Sequence, residues 1–213
     1  MSSPGRVQPD LGGERSKVCP PPMRRYLPLL LLSLTLLTCA PVAQAPQSIA
    51  PALPYERAAF GSGWTDPDGD CLDTRAELLA YLSTVPVRLA PSGCSVRHGR
   101  WFAPYTGQRI TNAGDLDIDH IVPLRYAWGH GAASWSAQKR ARFARDPVNL
   151  LPVSASANRS KGARGPLDWL PPDPGFRCQY VLRFRRIAAS YGLVHSAAEA
   201  RDLVALTGQL CGA

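Results

Sequence analysis

No pair of cysteines in the 213-residue chain stands at the short spacing that zinc centres use, so the six Cys do not read as a metal cluster. No internal repeat is visible, and the 21 Pro and 18 Gly follow no collagen-like period, so they mark frequent turns. The Leu-rich run at residues 29–38 is ten residues long, about half of what a bilayer-spanning helix needs. Charged residues make up only 19% against 45% apolar, too few for a disordered polyelectrolyte and enough grease for a packed core. A multi-span membrane protein, a coiled coil and a long disordered tail are thereby set aside.

What is present is basic charge, unevenly placed. The formal net charge is +8. Residues 1–50 hold five bases and two acids, residues 51–120 six bases and nine acids, and residues 121–186 twelve bases and three acids. A basic block that follows an acidic one suits a polyanion-facing surface beside a cation site, while a merely solvated face is the plainer alternative.

Met23-Arg24-Arg25, the short apolar run and the small residues after it make residues 23–45 a secretory signal peptide. Cleavage after Ala45 fits the small-residue rule, and Leu36-Leu37-Thr38-Cys39 resembles a lipoprotein signal; free secretion and a lipid anchor at Cys39 both stay open. Residues 1–22 read as an unstructured leader or an upstream start, and residues 46–54 as a Pro-rich linker. Export leaves Cys71, Cys94, Cys178 and Cys211 in an oxidising compartment, where disulfides are the simple expectation. Of the possible pairings the local ones, Cys71–Cys94 and Cys178–Cys211, are expected, each worth roughly 3 kcal/mol in the chain-entropy model.

The remaining chain, 55–213, reads as one α+β domain. Asp73 caps a helix running to residue 82. Strands are expected at 85–87, 96–102 and 116–122, with turns at Pro91-Ser92-Gly93 and Tyr105-Thr106-Gly107-Gln108. Helices follow at 124–128 and 134–144, a strand at 147–153, and a helix at 155–161. Residues 180–191 form a basic amphipathic helix with Val181, Phe184, Ile187 and Ala188 as its core face, and Ser196 with Glu199 makes a capping box for the last helix.

One constellation carries chemistry. Asp119-His120 ends a strand, Asn149 lies in the next strand, and Asn158 lies on the helix after it. A hard cation such as Mg²⁺ takes oxygen ligands, which Asp119 and the Asn158 amide supply. His120 can take a proton from water, and Asn149 can hold its ring by a hydrogen bond. Lys161, one turn beyond Asn158, can meet a phosphate oxygen. Each residue alone reads equally well as structural; the joint order is what points to function.

The segments Asp119-His120-Ile121-Val122-Pro123-Leu124, Phe143-Ala144-Arg145-Asp146-Pro147-Val148-Asn149-Leu150-Leu151 and Asn158-Arg159-Ser160-Lys161-Gly162 closely resemble the secreted HNH endonucleases of bacteria. These are similar to the C-terminal nuclease domain of the GmrSD modification-dependent restriction enzymes. Trp64, Cys71, Asp73-Thr74-Arg75, Trp169-Leu170-Pro171-Pro172 and the Cys178-Gln179-Tyr180 region extend the likeness over most of residues 55–211. The resemblance implies a ββα-metal fold with additional helices, Asp119 and Asn158 as metal ligands, His120 as general base and Asn149 as the orienting residue. One divalent metal is expected, Mg²⁺ first and Mn²⁺ as a substitute, with nucleic acid as substrate; DNA is the expected partner and RNA stays open beside it. Asn stands where the three-letter HNH pattern has His at the last position, and the step from His120 to Asn149 is long.

Arg75, Arg159 and Lys161 are the candidate phosphate contacts, although Arg75 equally suits an ion pair with the nearby acids. Lys139, Arg140, Arg142, Arg145, Arg183, Arg185 and Arg186 can follow a nucleic-acid backbone, and nothing resembles a base-reading module, so little sequence preference is expected. Asp66, Asp68 and Asp70 read as a turn cluster, with a calcium loop as the alternative. Asp117 reads as an exposed strand residue. No protein partner is implied, and a monomer is expected. The rival to an enzyme is a non-catalytic extracellular lipoprotein that binds nucleic acid or another polyanion; the intact set Asp119, His120, Asn149 and Asn158 favours the enzyme.

Overall fold

A computed structural model describes residues 54–212; the expected leader, the signal peptide with Cys39, and the linker up to residue 53 lie outside the described residues. Asp73 accepts from the Ala76 amide at 2.8 Å and opens helix α1, Thr74–Leu82. Strands β1 (Arg88–Leu89), β2 (Val96–Ala103) and β3 (Gln108–Asn112) form an antiparallel sheet in that order. Strand β1 starts three residues later than the expected 85–87, and β3 was not expected at all. The reason is compositional: Gln108–Asn112 is exposed at four of its five positions and shows no apolar alternation.

Strand β4, Leu116–His120, leads through Pro123 into α2, Leu124–Gly129, and then into α3, Ala137–Arg145, capped by Ser136. A 3-10 turn at Pro147–Asn149 precedes β5, Leu150–Ser154. Asn149 therefore ends a turn rather than lying in a strand. Asp146 dictates this: its carboxylate accepts from the Val148 amide at 2.9 Å and its carbonyl from the Asn149 amide at 2.8 Å, with Pro147 preset for the helical sense. Strand β5 pairs antiparallel with β4, Leu151 opposite Asp119 and Leu150 opposite His120. Ser154 then caps helix α4, Ala155–Lys161, so two strands and a helix succeed one another around the motif.

Helix α5 runs from Pro174 to Tyr191, one and a half turns longer than expected because Asp173 caps it and Pro174 suits its first position. Val181, Phe184, Ile187 and Ala188 are all buried, as their spacing demands. Gly192, at φ 70°, ends it with amide bonds to the Ala188 and Ala189 carbonyls. Helix α6, Ala197–Cys211, has only half of the expected capping box: Ser196 accepts from the Glu199 amide at 3.2 Å, while the Glu199 side chain turns to Tyr126 and His130.

Two cores result. Leu79, Trp101, Leu116, Ile118 and Leu150 join α1 and the first sheet to β4, with the Trp101 indole donating to the Leu79 carbonyl at 2.7 Å. Tyr105, Ile121, Phe143, Tyr180 and Phe184 bind α3 and α5 beneath β4 and β5. The disulfides are Cys71–Cys94 and Cys178–Cys211, the local pairs. None of the described helices is long and apolar enough to cross a membrane.

Candidate active site

Alternation along β4 sends Asp117 and Asp119 toward α4 and His120 the other way. Asn158 and Lys161, one turn apart on α4, meet those two carboxylates. The Asn158 amide nitrogen donates to Asp117 Oδ2 at 2.9 Å. A carboxylate only accepts, so this bond fixes the amide's sense and leaves the Asn158 oxygen for another partner. Asp117 is thus not a bystander: it positions Asn158.

Asp119 is 7% exposed. Its Oδ2 accepts from the Tyr105 hydroxyl at 2.7 Å and from the Lys161 ammonium at 2.8 Å. With both bonds on Oδ2, Oδ1 is the oxygen left to ligate. Lys161 is wholly buried, and its ammonium also donates to the His120 carbonyl at 2.7 Å. Burial pushes its pKa down while Asp119 pulls it up. Tyr105 is pushed far above the ordinary phenol value by burial and by the adjacent Asp119 charge. The placement departs from the expectation of a phosphate contact at Lys161: the chain folds its ammonium inward, onto Asp119, where no substrate reaches it.

His120 is 7% exposed and stacks on Trp64, ring centroids 5.8 Å apart and planes 12° off parallel. Its Nε2 lies 2.8 Å from the Ala144 carbonyl. The carbonyl can only accept, so Nε2 carries the proton and the neutral ring keeps its lone pair on Nδ1. Burial lowers the ring's pKa, against the Ala144 bond and the Asp119 charge, which raise it. The hydrogen bonds of Asn149 go to backbone rather than to the ring. Fully buried, it accepts from the Val122 amide at 2.9 Å and donates to the Val122 carbonyl at 3.3 Å, while its own carbonyl receives the Ile121 amide at 2.8 Å. It braces the backbone just after His120, and the long insertion that supplies Ala144 does the orienting.

Asp119, His120 and Asn158 line one cleft of about 320 Å³ together with Tyr55, Arg57 and Arg125. A smaller hollow of about 30 Å³, bounded by Arg57, Trp64 and Ala144, also reaches His120 and is wide enough for a water. Arg57 and Arg125 are exposed, so they are the cations facing the cleft. Arg75 instead donates to the Ala113 and Leu116 carbonyls at 2.8 and 3.0 Å, tying α1 to the start of β4. Arg159 is exposed on the far side of α4, in a hollow beside Gln108 and Ser156.

Several of the other bases are likewise structural. Arg140 donates to the Ala59 and Trp135 carbonyls at 2.9 and 2.5 Å, and Lys139 to the Tyr191 carbonyl at 2.9 Å. Asp66 accepts the Gly69 and Cys71 amides at 2.8 Å, and Asp70 the Leu72 amide at 2.8 Å, so these acids build a turn.

Tyr105, Trp64, Arg57 and the Ala144 carbonyl were not legible as site groups. Trp64 and Ala144 lie in stretches that carry the family likeness, and Arg125 directly follows the Asp119–Leu124 motif, but none of these was assigned a role.

A family model described as GmrSD restriction endonucleases, C-terminal domain, matches residues 86–206, more than half of the chain and all of β4, β5 and α4. An uncharacterized secreted protein of Arthroderma benhamiae is 38% identical over 154 residues, 71% of this chain and 74% of that one. No solved structure matches. With the match spanning the Asp119, His120, Asn149 and Asn158 positions, the chain belongs to the family of GmrSD restriction-endonuclease C-terminal domains.

Proposed function

We propose that the chain is an exported, divalent-metal-dependent endonuclease of the HNH type, which hydrolyses phosphodiester bonds of DNA and RNA with little sequence preference. The observation that carries the reading is the tautomer lock on His120: Nε2 is committed to the Ala144 carbonyl and Nδ1 is left basic, in a cleft shared with two oxygen donors. The donor set suits a hard cation, since Asp119 Oδ1 and the Asn158 amide oxygen are both left without a hydrogen, and Mg²⁺ retains waters at its other positions. Bound there, Mg²⁺, with Mn²⁺ as substitute, supplies positive charge against the scissile phosphate and the leaving 3′-oxygen.

The chain's own residues do the rest. His120 Nδ1 takes the proton of the attacking water; burial keeps the ring neutral and ready at neutral pH. Tyr105 and Lys161 hold Asp119 in one orientation, and Asp117 does the same for Asn158. Arg57 and Arg125 hold the flanking phosphates, contacts that carry no base information and so give little sequence choice. Export rests on the signal pattern at residues 23–45, the two disulfides and the secreted relative.

Plasmid and single-stranded RNA incubated with Mg²⁺, with and without chelator, test the reading. Nicking that chelator stops and that His120→Ala lacks is the expected result. Binding without chelator-sensitive cleavage overturns it in favour of a non-catalytic polyanion binder.

A further inference from the structure

Away from the cleft, three side chains converge where α2 ends and α6 begins. His130 follows the last turn of α2, His195 lies in the segment joining α5 to α6, and Glu199 sits in the first turn of α6. One ligand atom from each lies within 4.8 Å of the others. His130 Nε2 is 3.0 and 3.1 Å from the two Glu199 oxygens. Donors bound to one tetrahedral zinc at about 2.05 Å would stand about 3.3 Å apart, close to the His130–Glu199 spacing, while His195 need close by no more than about 1.5 Å.

Two features of this corner point to a ligand. His130 faces an acceptor at each ring nitrogen: Nδ1 is 2.7 Å from the Tyr126 carbonyl, and Nε2 meets Glu199. A neutral imidazole has one proton for these two acceptors, so Nε2 needs either a second proton or a metal in its place. Independently, His195 Nε2 is buried and has no hydrogen-bond partner among the described residues. A buried ring nitrogen without a partner is costly, and a cation between the rings would satisfy it.

The surroundings are built for ligation. Nδ1–H to a backbone carbonyl is the usual support behind a metal-bound histidine, and it fixes the tautomer with the lone pair on Nε2. The Tyr126 ring stacks on His130 at 3.9 Å and 11°, holding its plane. The Tyr126 hydroxyl donates to Glu199 Oε1 at 2.5 Å, orienting the carboxylate. Side-chain exposures of 20% and 23% at His130 and Glu199 leave room for an ion to enter and for a water in the fourth position.

We propose that His130, His195 and Glu199 form a second, structural metal site that binds one zinc ion and fastens the start of α6 to the end of α2. Two imidazoles and one carboxylate select zinc over Mg²⁺ or Ca²⁺, which take oxygen donors. The site closes the α5–α6 hairpin at its turn, while the Cys178–Cys211 disulfide closes the other end. The inference stands whether or not the chain cuts nucleic acid.

The test uses zinc alone, with no Mg²⁺ present. Chelator-treated protein carrying Asp119→Asn, which removes the cleft's negative charge while keeping an acceptor for Tyr105 and Lys161, is checked for its fold by circular dichroism, dialysed against micromolar ZnCl₂, and its metal content measured. About one zinc per chain is expected, with a rise in Tm. Adding His195→Ala or Glu199→Gln should abolish the bound zinc and the Tm rise, and Tyr126→Phe should weaken zinc affinity about 10-fold. Glu199→Gln is nearly isosteric, so circular dichroism can verify its fold if His195→Ala is unstable. No bound zinc in the folded Asp119→Asn protein, or zinc that persists when Glu199→Gln is added, would overturn the proposal and leave His130 as a protonated partner of Glu199.

Discussion

His120 and His130 sit ten residues apart, each with one ring nitrogen fastened to a backbone carbonyl, and they differ in what faces the other nitrogen. Around His120 the acids are already engaged: Asp119 is held by Lys161 and Tyr105, and Asp117 by Asn158, so no carboxylate among the described residues takes the ring's second nitrogen. Around His130 the carboxylate of Glu199 points straight at that nitrogen. The first arrangement keeps a lone pair available for a proton from water. The second commits the nitrogen to binding. A carbonyl on one side of an imidazole is common to both; the location of the nearest carboxylate separates the proposed base from the proposed ligand.

The largest effect should come from breaking the first arrangement. His120→Ala is expected to lower cutting about 10²–10⁴-fold, the usual range for a lost general base, without changing zinc content. A plasmid-nicking assay with metal analysis checks both halves. Next is the buried pair. Lys161→Met strands the Asp119 carboxylate with Tyr105 alone, and urea unfolding should show a loss of about 3–5 kcal/mol. A surface lysine would have shown almost none.

The third effect is in pH. Burial disfavours the imidazolium of His120, so the neutral, proton-accepting form persists below the ordinary histidine value of about 6.5. Cutting should therefore hold level as pH falls to that value and decline only beneath it. A pH–rate profile whose acid limb begins at or above pH ~6.5 would contradict the burial argument. The smallest effect is at the rim: Arg125→Ala should slow cutting several-fold and reduce the salt dependence by about one phosphate contact.

Much of the fold was readable because it obeys local rules. Asp73 and Ser196 each cap the helix that their chemistry announces, and α4 falls on the expected residues, whereas α3 starts at Ala137 rather than 134 because Ser136 caps it. The exposed strand β3 was hidden because its pairing with β2 comes from backbone bonds and a turn, not from an apolar face. In the site, the motif residues were legible and their partners were not. Tyr105 and Trp64 reach Asp119 and His120 from 14 and 56 positions away in the chain, and no periodicity encodes such an approach. Lys161 shows the limit of spacing arguments. One helical turn from Asn158 was enough to place it on the same face, but not to tell that this face is covered by β4. Asn149 shows another: a residue in the expected motif position braces the backbone rather than the imidazole.

The stack of Trp64 on His120 has a practical consequence. An indole stacked on an imidazole loses fluorescence when that imidazole takes up a proton, so the protein carries its own optical gauge of the proposed general base. Emission followed against pH, in the absence of any substrate, would trace the ionisation of that one ring, and the difference between wild type and Trp64→Phe would isolate its signal from the other four tryptophans.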